Sequence, residues 1–371
     1  MPSSDPVRIG LVGSGMIAGT HLAALQLCQH AKAVALADYG RDRGGRVPRG
    51  AALAAERGVV RYHSDYRPLL QDPEVEVVLV ALPNALHAEV TLAALEAGKH
   101  VIVEKPLCLS LEDADRIVDL AQKRGLVAAY AEELCYVPKF TRAKSLIEQG
   151  AIGALFLLKQ REIHAGPYSD WFFDPHLGGG GALMDMGCHA IEYARWMFGK
   201  RPVRKVTAQL ETFVHHHRRT PSGLVDDHCL LHLVFEGGGV AVLEAGWTLK
   251  GGMDSTAELQ GTEGVLHVDL LKNTGLRLYS ERGLAPQDLS PGWSTPDHDS
   301  LWQNGYPQEL DDFALAIRSG GTPRENAADG RAVLEIIWAA YASAQQGRTI
   351  ELPYRPEAGA QNPVLAFAEG R

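Results

Sequence analysis

The stretch GGGGALMDMGCHAIEYARW, residues 178–196, is apolar apart from a few groups. Asp185 and His189 stand four residues apart and Glu192 follows three later, so a helix would carry all three on one face. A histidine, with its ordinary pKa of ~6.5, can take up or return a proton near neutral pH, and a nearby carboxylate can hold a hydroxyl. The same stripe also suits the wet side of a surface helix, the reading that fits Glu192 and Arg195. Taken alone, the segment leaves Asp185 and His189 open between the two.

Such residues act only when other elements hold them at a cleft, and the periodicity of the chain shows which elements are available. In residues 7–131, apolar β-rich runs at 7–12, 33–37, 75–82, 100–103 and 126–131 alternate with helical periods at 21–29, 51–57, 88–97 and 111–123. Ser110, with Asp113 three positions on, resembles a capping box at the start of the last of these helices. Near-continuous apolar strands alternating with helices predict a parallel sheet covered on both faces, in an α/β domain spanning residues 1–134. Beyond residue 135 a helix (139–149) precedes a strand (155–163), the glycine-led helix, and strands at 203–210, 229–235, 240–247, 257–260, 265–270 and 276–279. Glycine-rich turns between them predict a mostly antiparallel sheet, and helices over 308–317 and 327–345 complete an α+β domain of residues 135–355. Residues 356–371 read as a loose tail.

A chain of 371 residues is longer than one hydrophobic core usually serves, which agrees with two domains. Its 46% hydrophobic and 22% charged content is that of an ordinary globular protein. A net charge of −9 argues against a nucleic-acid or anionic-membrane partner. Five scattered cysteines, with no CxxC pair, suit a reducing compartment rather than a disulfide framework or zinc site. No signal-like amino terminus or membrane-length apolar run is found, so a cytoplasmic location is expected.

The first strand runs into Gly13-Ser14-Gly15-Met16-Ile17-Ala18, which fits G-x-G-x-x-G/A with alanine in the third small position. In the dinucleotide-binding fold the first glycine makes the turn, the second admits the pyrophosphate to the backbone, and the helix N–H groups face the phosphates. Asp38 ends the second strand, twenty positions after Ala18, where a carboxylate can hold a ribose diol. It would repel the extra phosphate of NADP, so NAD is expected. Arg41, Arg43, Arg46 and Arg49 follow and could clamp that phosphate, which keeps NADP open. Lys105, in Val103-Glu104-Lys105-Pro106 at the end of the fifth strand, should face the same cleft, because ligands of open α/β sheets gather at the carboxyl ends of strands.

Four segments occur in order: GSGMIAG, LPNALHAEV, AGKHVIVEKPLCLS and GGGALMDMGCHAIEYARW. Together they resemble the Gfo/Idh/MocA family from Val7 to about Pro353, ending in ELDDFALAIRSG and QQGRTIELP. The resemblance implies a nucleotide-binding domain followed by a domain with a large antiparallel sheet, whose outer face is buried in a homodimer or homotetramer. It implies reversible hydride transfer between a nicotinamide cofactor and a sugar or cyclitol carbinol. Lys105 matches the lysine of the EKP motif, preceded by Glu104, and Asp185 and His189 match its D-x-x-x-H pair. Pro83, Asn84 and His87 match a T-P-N-x-x-H segment beside the nicotinamide, with Leu82 in place of threonine. Where the family often has N-R-R-F-x-P, this chain has Glu132-Glu133-Leu134-Cys135-Tyr136-Val137-Pro138. With no basic residue there, a charged or phosphorylated substrate is not expected.

By this resemblance His189 is the general base, Asp185 binds and orients the substrate, and Lys105 stabilises alkoxide charge. His164, Tyr168 and Trp171, with Asp174 and His176, combine aromatic faces and polar groups in a way that suits a sugar, although a loop packed on its own aromatics would look the same. Gly187 costs ~1 kcal/mol inside a helix, which points to a close approach there. His215, His216 and His217 lack acid or cysteine partners, and no metal is expected. The function expected is an NAD-dependent oxidoreductase acting on a sugar, glycoside or cyclitol. Alternatives are a glycoside-cleaving enzyme that retains NAD and a non-catalytic cofactor-binding regulator; the presence of Lys105, Asp185 and His189 argues against the regulator.

Overall fold

The amino-terminal strands are apolar on both sides because helices cover both sides of the sheet they form. The computed structural model describes residues 5–39, 49–221, 223–271, 278–280, 292–294 and 300–368. Strands β1 (Val7–Val12), β2 (Ala31–Ala37), β3 (Arg61–His63), β4 (Val77–Val80), β5 (His100–Glu104) and β6 (Ala128–Ala131) pair in the order β3-β2-β1-β4-β5-β6. Every pairing is parallel. Helices α1 (Met16–Leu25), α2 (Arg49–Glu56), α3 (Tyr66–Leu70), α4 (His87–Glu96) and α5 (Leu111–Arg124) connect them. The Ser110 hydroxyl accepts from Asp113 N at 3.1 Å at the start of α5, and Gly125 ends it in the left-handed region (φ 63°). Periodicity does not predict β3 or α3, which are too short to show a period. Helix α1 starts earlier than the expected 21–29 because the glycine loop leads directly into it. The strand order reverses between β1 and β4, and this opens a crevice at their carboxyl ends.

The second half contains α6 (Pro138–Glu148), β7 (Leu155–His164), α7 (Pro175–Gly178) and α8 (Cys188–Met197). Strands β8 (Val203–Glu211), β9 (His228–Phe235), β10 (Val240–Gly246), β11 (Met253–Gly261) and β12 (Gly264–Asp269) follow, with a small β13 (Leu278–Ser280) and β14 (Gly292–Ser294) pair. Helices α9 (Ser300–Gln303), α10 (Tyr306–Ser319) and α11 (Ala327–Gln346), strand β15 (Ile350–Glu351) and helix α12 (Pro363–Ala368) complete the chain. The large sheet runs β12-β11-β7-β10-β9-β8-β15 and is antiparallel except between β7 and β10. Its alternation is clear in β9, where Cys229, Leu231, Leu233 and Phe235 are buried and Leu230 and His232 are exposed. Helix α8 packs on β7 and β10, and α11 on β8. On the other side Leu230, Val242 and Val265 remain 40–49% exposed. No helix among the described residues is long and apolar enough to cross a membrane.

Several expectations change. Glu192 and Arg195 are not a wet stripe: every residue of α8 is buried, since neighbouring elements enclose it all round. Glu192 and Arg195 form an ion pair, Arg195 Nη2 lies 3.6 Å from Asp329, and Lys200 Nζ reaches Glu325 at 3.0 Å and Asp329 at 2.8 Å. The glycine-led helix is not continuous: Leu183–Gly187 is a π-helical turn and the α-helix begins at Cys188. Residues 354–368 are not loose, because Asn362 is buried with its Nδ2 on Pro175 O (3.2 Å) and Phe367 lies edge-on to Trp338. His216 and His217 sit in a 3₁₀ turn, and His215 does have an acidic neighbour, with Nδ1 3.3 Å from Asp227 Oδ2. Part of the expected 276–279 strand, and Arg41, Arg43 and Arg46, lie outside the described residues.

The acidic cluster behind α8 depends on its two cations. Arg195→Met should leave Glu192, Glu325 and Asp329 facing Lys200 alone and cost about 3–5 kcal/mol. A denaturant midpoint equal to that of the wild type would contradict this.

Candidate active site

The glycine loop shapes the cofactor side of the crevice. Gly13 has φ 120°, and a Cβ there would lie 2.0 Å from Ala81 O, so β1 and β4 can close only over a glycine. Gly15 caps the amino terminus of α1 just before Met16 and Ile17, and a Cβ there would meet nothing within 4 Å, so the space beside it is open. A phosphate fits there, against the free N–H groups of the first turn. Asp38 follows β2, with Oδ1 accepting from Ser14 Oγ (2.6 Å) and Oδ2 from Tyr62 OH (2.7 Å). Burial, and then the bond to Asp38, pushes the Tyr62 hydroxyl up to about 12, so it stays a donor. The residues present suit a dinucleotide.

The turn after β4 is braced from behind. His87 is buried, with Nδ1 2.7 Å from Pro106 O and Nε2 2.8 Å from Leu82 O. Both nitrogens are thus taken by main-chain carbonyls, and His87 ties Leu82-Pro83 to the Lys105–Pro106 segment. Asn84 donates to Gly178 O (2.9 Å) and joins this turn to the glycine run. Glu104 accepts from buried His21 (2.6 Å) and from Lys105 N (3.0 Å).

Lys105 leaves the end of β5 and crosses to the π-helical turn, where Nζ meets Asp185 Oδ1 and Asp185 O, both at 2.9 Å. Trp247 Nε1, just past β10, donates to Asp185 Oδ2 at 2.9 Å, and His164 Nε2 lies 3.8 Å from the same oxygen. Burial alone would raise the Asp185 pKa, but Lys105 and His164 outweigh it and hold the carboxyl well below the usual range. Burial acts against the Lys105 charge too, and the Asp185 charge more than offsets it, so the ammonium persists.

His189 lies one turn on, 5% exposed, with Nδ1 2.7 Å from Glu132 Oε1. Glu132 directly follows β6, is fully buried, and leaves Oε2 without a partner. Burial moves the two groups in opposite directions, His189 down to about 4 and Glu132 up to about 8. The imidazole is therefore neutral near pH 7, and its Nε2 is the nitrogen left for another partner.

Gly181 and Gly187 pack against the chain's own main-chain and side-chain atoms. A Cβ at Gly181 would lie 1.8 Å from Asp226 O, and one at Gly187 2.7 Å from Leu183 Cδ1. Asp226, itself buried, receives Gly181 N (3.1 Å), Leu183 N (2.8 Å) and the Tyr341 hydroxyl. Among the expected sugar-contacting residues, Tyr168 is 75% exposed and stacks on His164 at 5.8 Å, Trp171 is half-buried against Phe172, and His176 is exposed. Asp174 instead caps α7 through His176 N (3.0 Å).

Lys105, Asp185 and His189 thus come together as expected. Glu132, Trp247 and Asp226 were missed as functional groups. Glu132 carried a legible signal, since it stands at a strand's carboxyl end just as Lys105 does.

Comparison with known proteins agrees with this architecture. Residues 7–132 match the family described as "Oxidoreductase family, NAD-binding Rossmann fold", and residues 140–267 match "GFO/IDH/MocA C-terminal domain". The chain is 31% identical to a levoglucosan dehydrogenase of Pseudarthrobacter phenanthrenivorans, covering 82% of this chain and 87% of that protein. It is 27% identical to a myo-inositol 2-dehydrogenase of Thermotoga maritima, covering 93% and 98%. The crystal structure of GenD2 from gentamicin A biosynthesis, in complex with NAD, superposes with a TM-score of 0.83 at 31% identity, over 94% of this chain and 97% of that one.

The geometry at Asp38 predicts cofactor preference. NADH should bind more tightly than NADPH, and Asp38→Ala should narrow the gap by about tenfold or more, the loss of one charged contact. Fluorescence titration of both cofactors measures it; a wild type that prefers NADPH would overturn the assignment.

Proposed function

The chain belongs to the Gfo/Idh/MocA family of NAD-binding oxidoreductases, and we propose that it oxidises a secondary hydroxyl of a sugar, glycoside or cyclitol. The observation that carries this reading is a buried imidazole, held by Glu132 at the carboxyl end of β6, one turn from the pair that Asp185 makes with Lys105 at the carboxyl end of β5. Relatives named as levoglucosan and myo-inositol dehydrogenases support the substrate class. In this reading residues 1–134 hold the cofactor, residues 135–355 supply most of the substrate contacts, and Gly13, Gly15, Met16, Ile17, Asp38, Leu82, Pro83, Asn84 and Glu104 shape the nucleotide side.

NAD, when held by the glycine loop and Asp38, would supply the hydride acceptor. The proton is left to the chain. His189 Nε2 takes it from the hydroxyl, and the imidazolium so formed keeps its Nδ1–H on the Glu132 carboxylate. Glu132 thus raises the basicity that burial would otherwise suppress. Lys105 stabilises negative charge developing on the carbinol oxygen. Asp185, held by Lys105 and Trp247, orients the substrate, and His164, Tyr168 and Trp171 offer it a stacked face and a polar edge.

The half-exposed apolar groups on the outer sheet face, Leu230, Val242 and Val265, support a homodimer or homotetramer that covers them. Light scattering should therefore give a mass of two or four chains at micromolar concentration, and a monomer would contradict it.

Two kinetic outcomes test the mechanism. His189→Ala should lower kcat about 10²–10⁴-fold with little change in NAD affinity; a kcat like that of the wild type would remove His189 from the reaction. In the wild type, oxidation should increase as pH rises through about 8, where the Glu132–His189 pair loses its second proton and frees Nε2. Glu132→Gln removes the charge that favours imidazolium, so the rising limb should move to lower pH, toward the His189 value of about 4, while kcat falls. A screen of sugars, cyclitols and glycosides with NAD and NADP identifies the substrate. NADH release supports the dehydrogenase, whereas glycoside turnover without net NADH supports the cofactor-retaining alternative.

A further inference from the structure

The carboxyl end of β6 carries one acidic group more than the proton chemistry uses. Glu132 serves His189. Glu133, next in sequence, opens the 3₁₀ turn Glu133–Tyr136, and its side chain keeps 17% exposure where Glu132 has none. It is therefore the carboxylate of the pair that reaches the cleft. Its Oε2 lies 3.8 Å from His189 Nδ1, beyond hydrogen-bond reach, and that nitrogen is already committed to Glu132. No N–H or O–H among the described residues donates to the Glu133 carboxylate.

Lys105 belongs to Asp185, whose second oxygen takes Trp247, and Glu104 belongs to His21. Among the described residues no lysine or arginine pairs with Glu133, and burial, with Glu132 and Glu104, raises it to about 7 although His189 and Lys105 act the other way. A half-buried carboxylate without a partner is costly unless the ligand brings one. The lack of a basic residue in this segment disfavours anionic substrates but not cationic ones, and the carboxylate in its place favours a positive charge.

We infer that the substrate is an amino-bearing sugar or cyclitol whose ammonium group, on a carbon other than the one oxidised, is bound by the Glu133 carboxylate. This rests on the dehydrogenase reading above. A metal ion would be another cation, and the donor atoms of Glu132, Cys188 and His189 lie within 4.8 Å of one another. Glu132 Oε1 and His189 Nδ1 are, however, engaged with each other at 2.7 Å and Cys188 Sγ with Asp185 O at 3.1 Å, and burial keeps the Cys188 thiol protonated, which makes it a poor ligand. The free donors of an ammonium group suit the Glu133 carboxylate, which unlike Glu132 keeps some exposure.

The test uses the full-length enzyme with saturating NAD and matched probes. These are D-glucosamine, D-galactosamine and 1-amino-1-deoxy-scyllo-inositol, each against its hydroxyl parent and its N-acetyl derivative, with NADH formation as the readout. At least one amine should exceed both its parent and its N-acetyl form in kcat/KM by about 10–100-fold, the span of a charge-assisted hydrogen bond. Glu133→Gln should cut kcat/KM for that amine at least tenfold more than for its parent, mostly through KM. Glu133→Arg should reverse the preference, so the proposal stays testable if one variant folds poorly; NADH binding reports folding in each. Oxidation of parents with no preference for any amine, or a preference that survives Glu133→Gln, would overturn the amine assignment and leave the dehydrogenase reading intact. No NADH formation from any probe would overturn both.

Discussion

The ion pair between Lys105 and Asp185 spans 80 residues of sequence and is the contact around which the cleft is arranged. It forms only if the carboxyl end of β5 and the turn before α8 meet, and neither group tolerates that burial alone. Each keeps its charge because of the other, with Trp247 completing the carboxylate. The turn is π-helical at this point, and Lys105 Nζ binds the Asp185 carbonyl as well as the side chain. A wider coil at a place where a side chain must reach main chain is a common association with function.

The surrounding structure holds that contact in place from several directions. His87 fastens the β4 turn to Pro106, Asn84 fastens it to Gly178, and Trp338 Nε1 on α11 donates to Leu109 O at 3.0 Å. Asp226 and Tyr341 gather the N–H groups at the head of the π turn. Most of these donors and acceptors are buried, so each removes a desolvation penalty while fixing a direction. Placing reactive groups on strand ends and helix turns, rather than on mobile loops, limits how far they can drift.

Electrostatics in the cleft work in two senses. Burial limits the His189–Glu132 pair to one shared proton near neutral pH, and once that proton leaves, the Glu132 carboxylate on Nδ1 supports the charge that His189 takes up from the substrate. Acidic groups outnumber cations at the end of β6, so the site is poor for an anion and suited to a neutral or positive ligand. A second acidic group of residues, Glu192, Glu325 and Asp329, lies behind α8 and is balanced by Arg195 and Lys200, which gives it a structural role.

Local pattern determined much of this protein. Apolar runs without alternation identified the parallel strands, GSGMIA after β1 marked the nucleotide turn, and Asp38, Lys105, Asp185 and His189 were legible as strand-end or motif residues. Alternation and glycine turns likewise showed the second, mostly antiparallel sheet. What the pattern could not reach was any property set by which elements become neighbours. The spacing of Glu192 and Arg195 looked like a solvated stripe, and only the enclosure of α8 made it a buried ion pair. Glu132 looked like a departure from a family motif until the fold set it 2.7 Å from a histidine 57 residues away. Periodicity reports the face of one element, whereas burial and pKa depend on what covers that face. That is decided by strand order and packing in three dimensions.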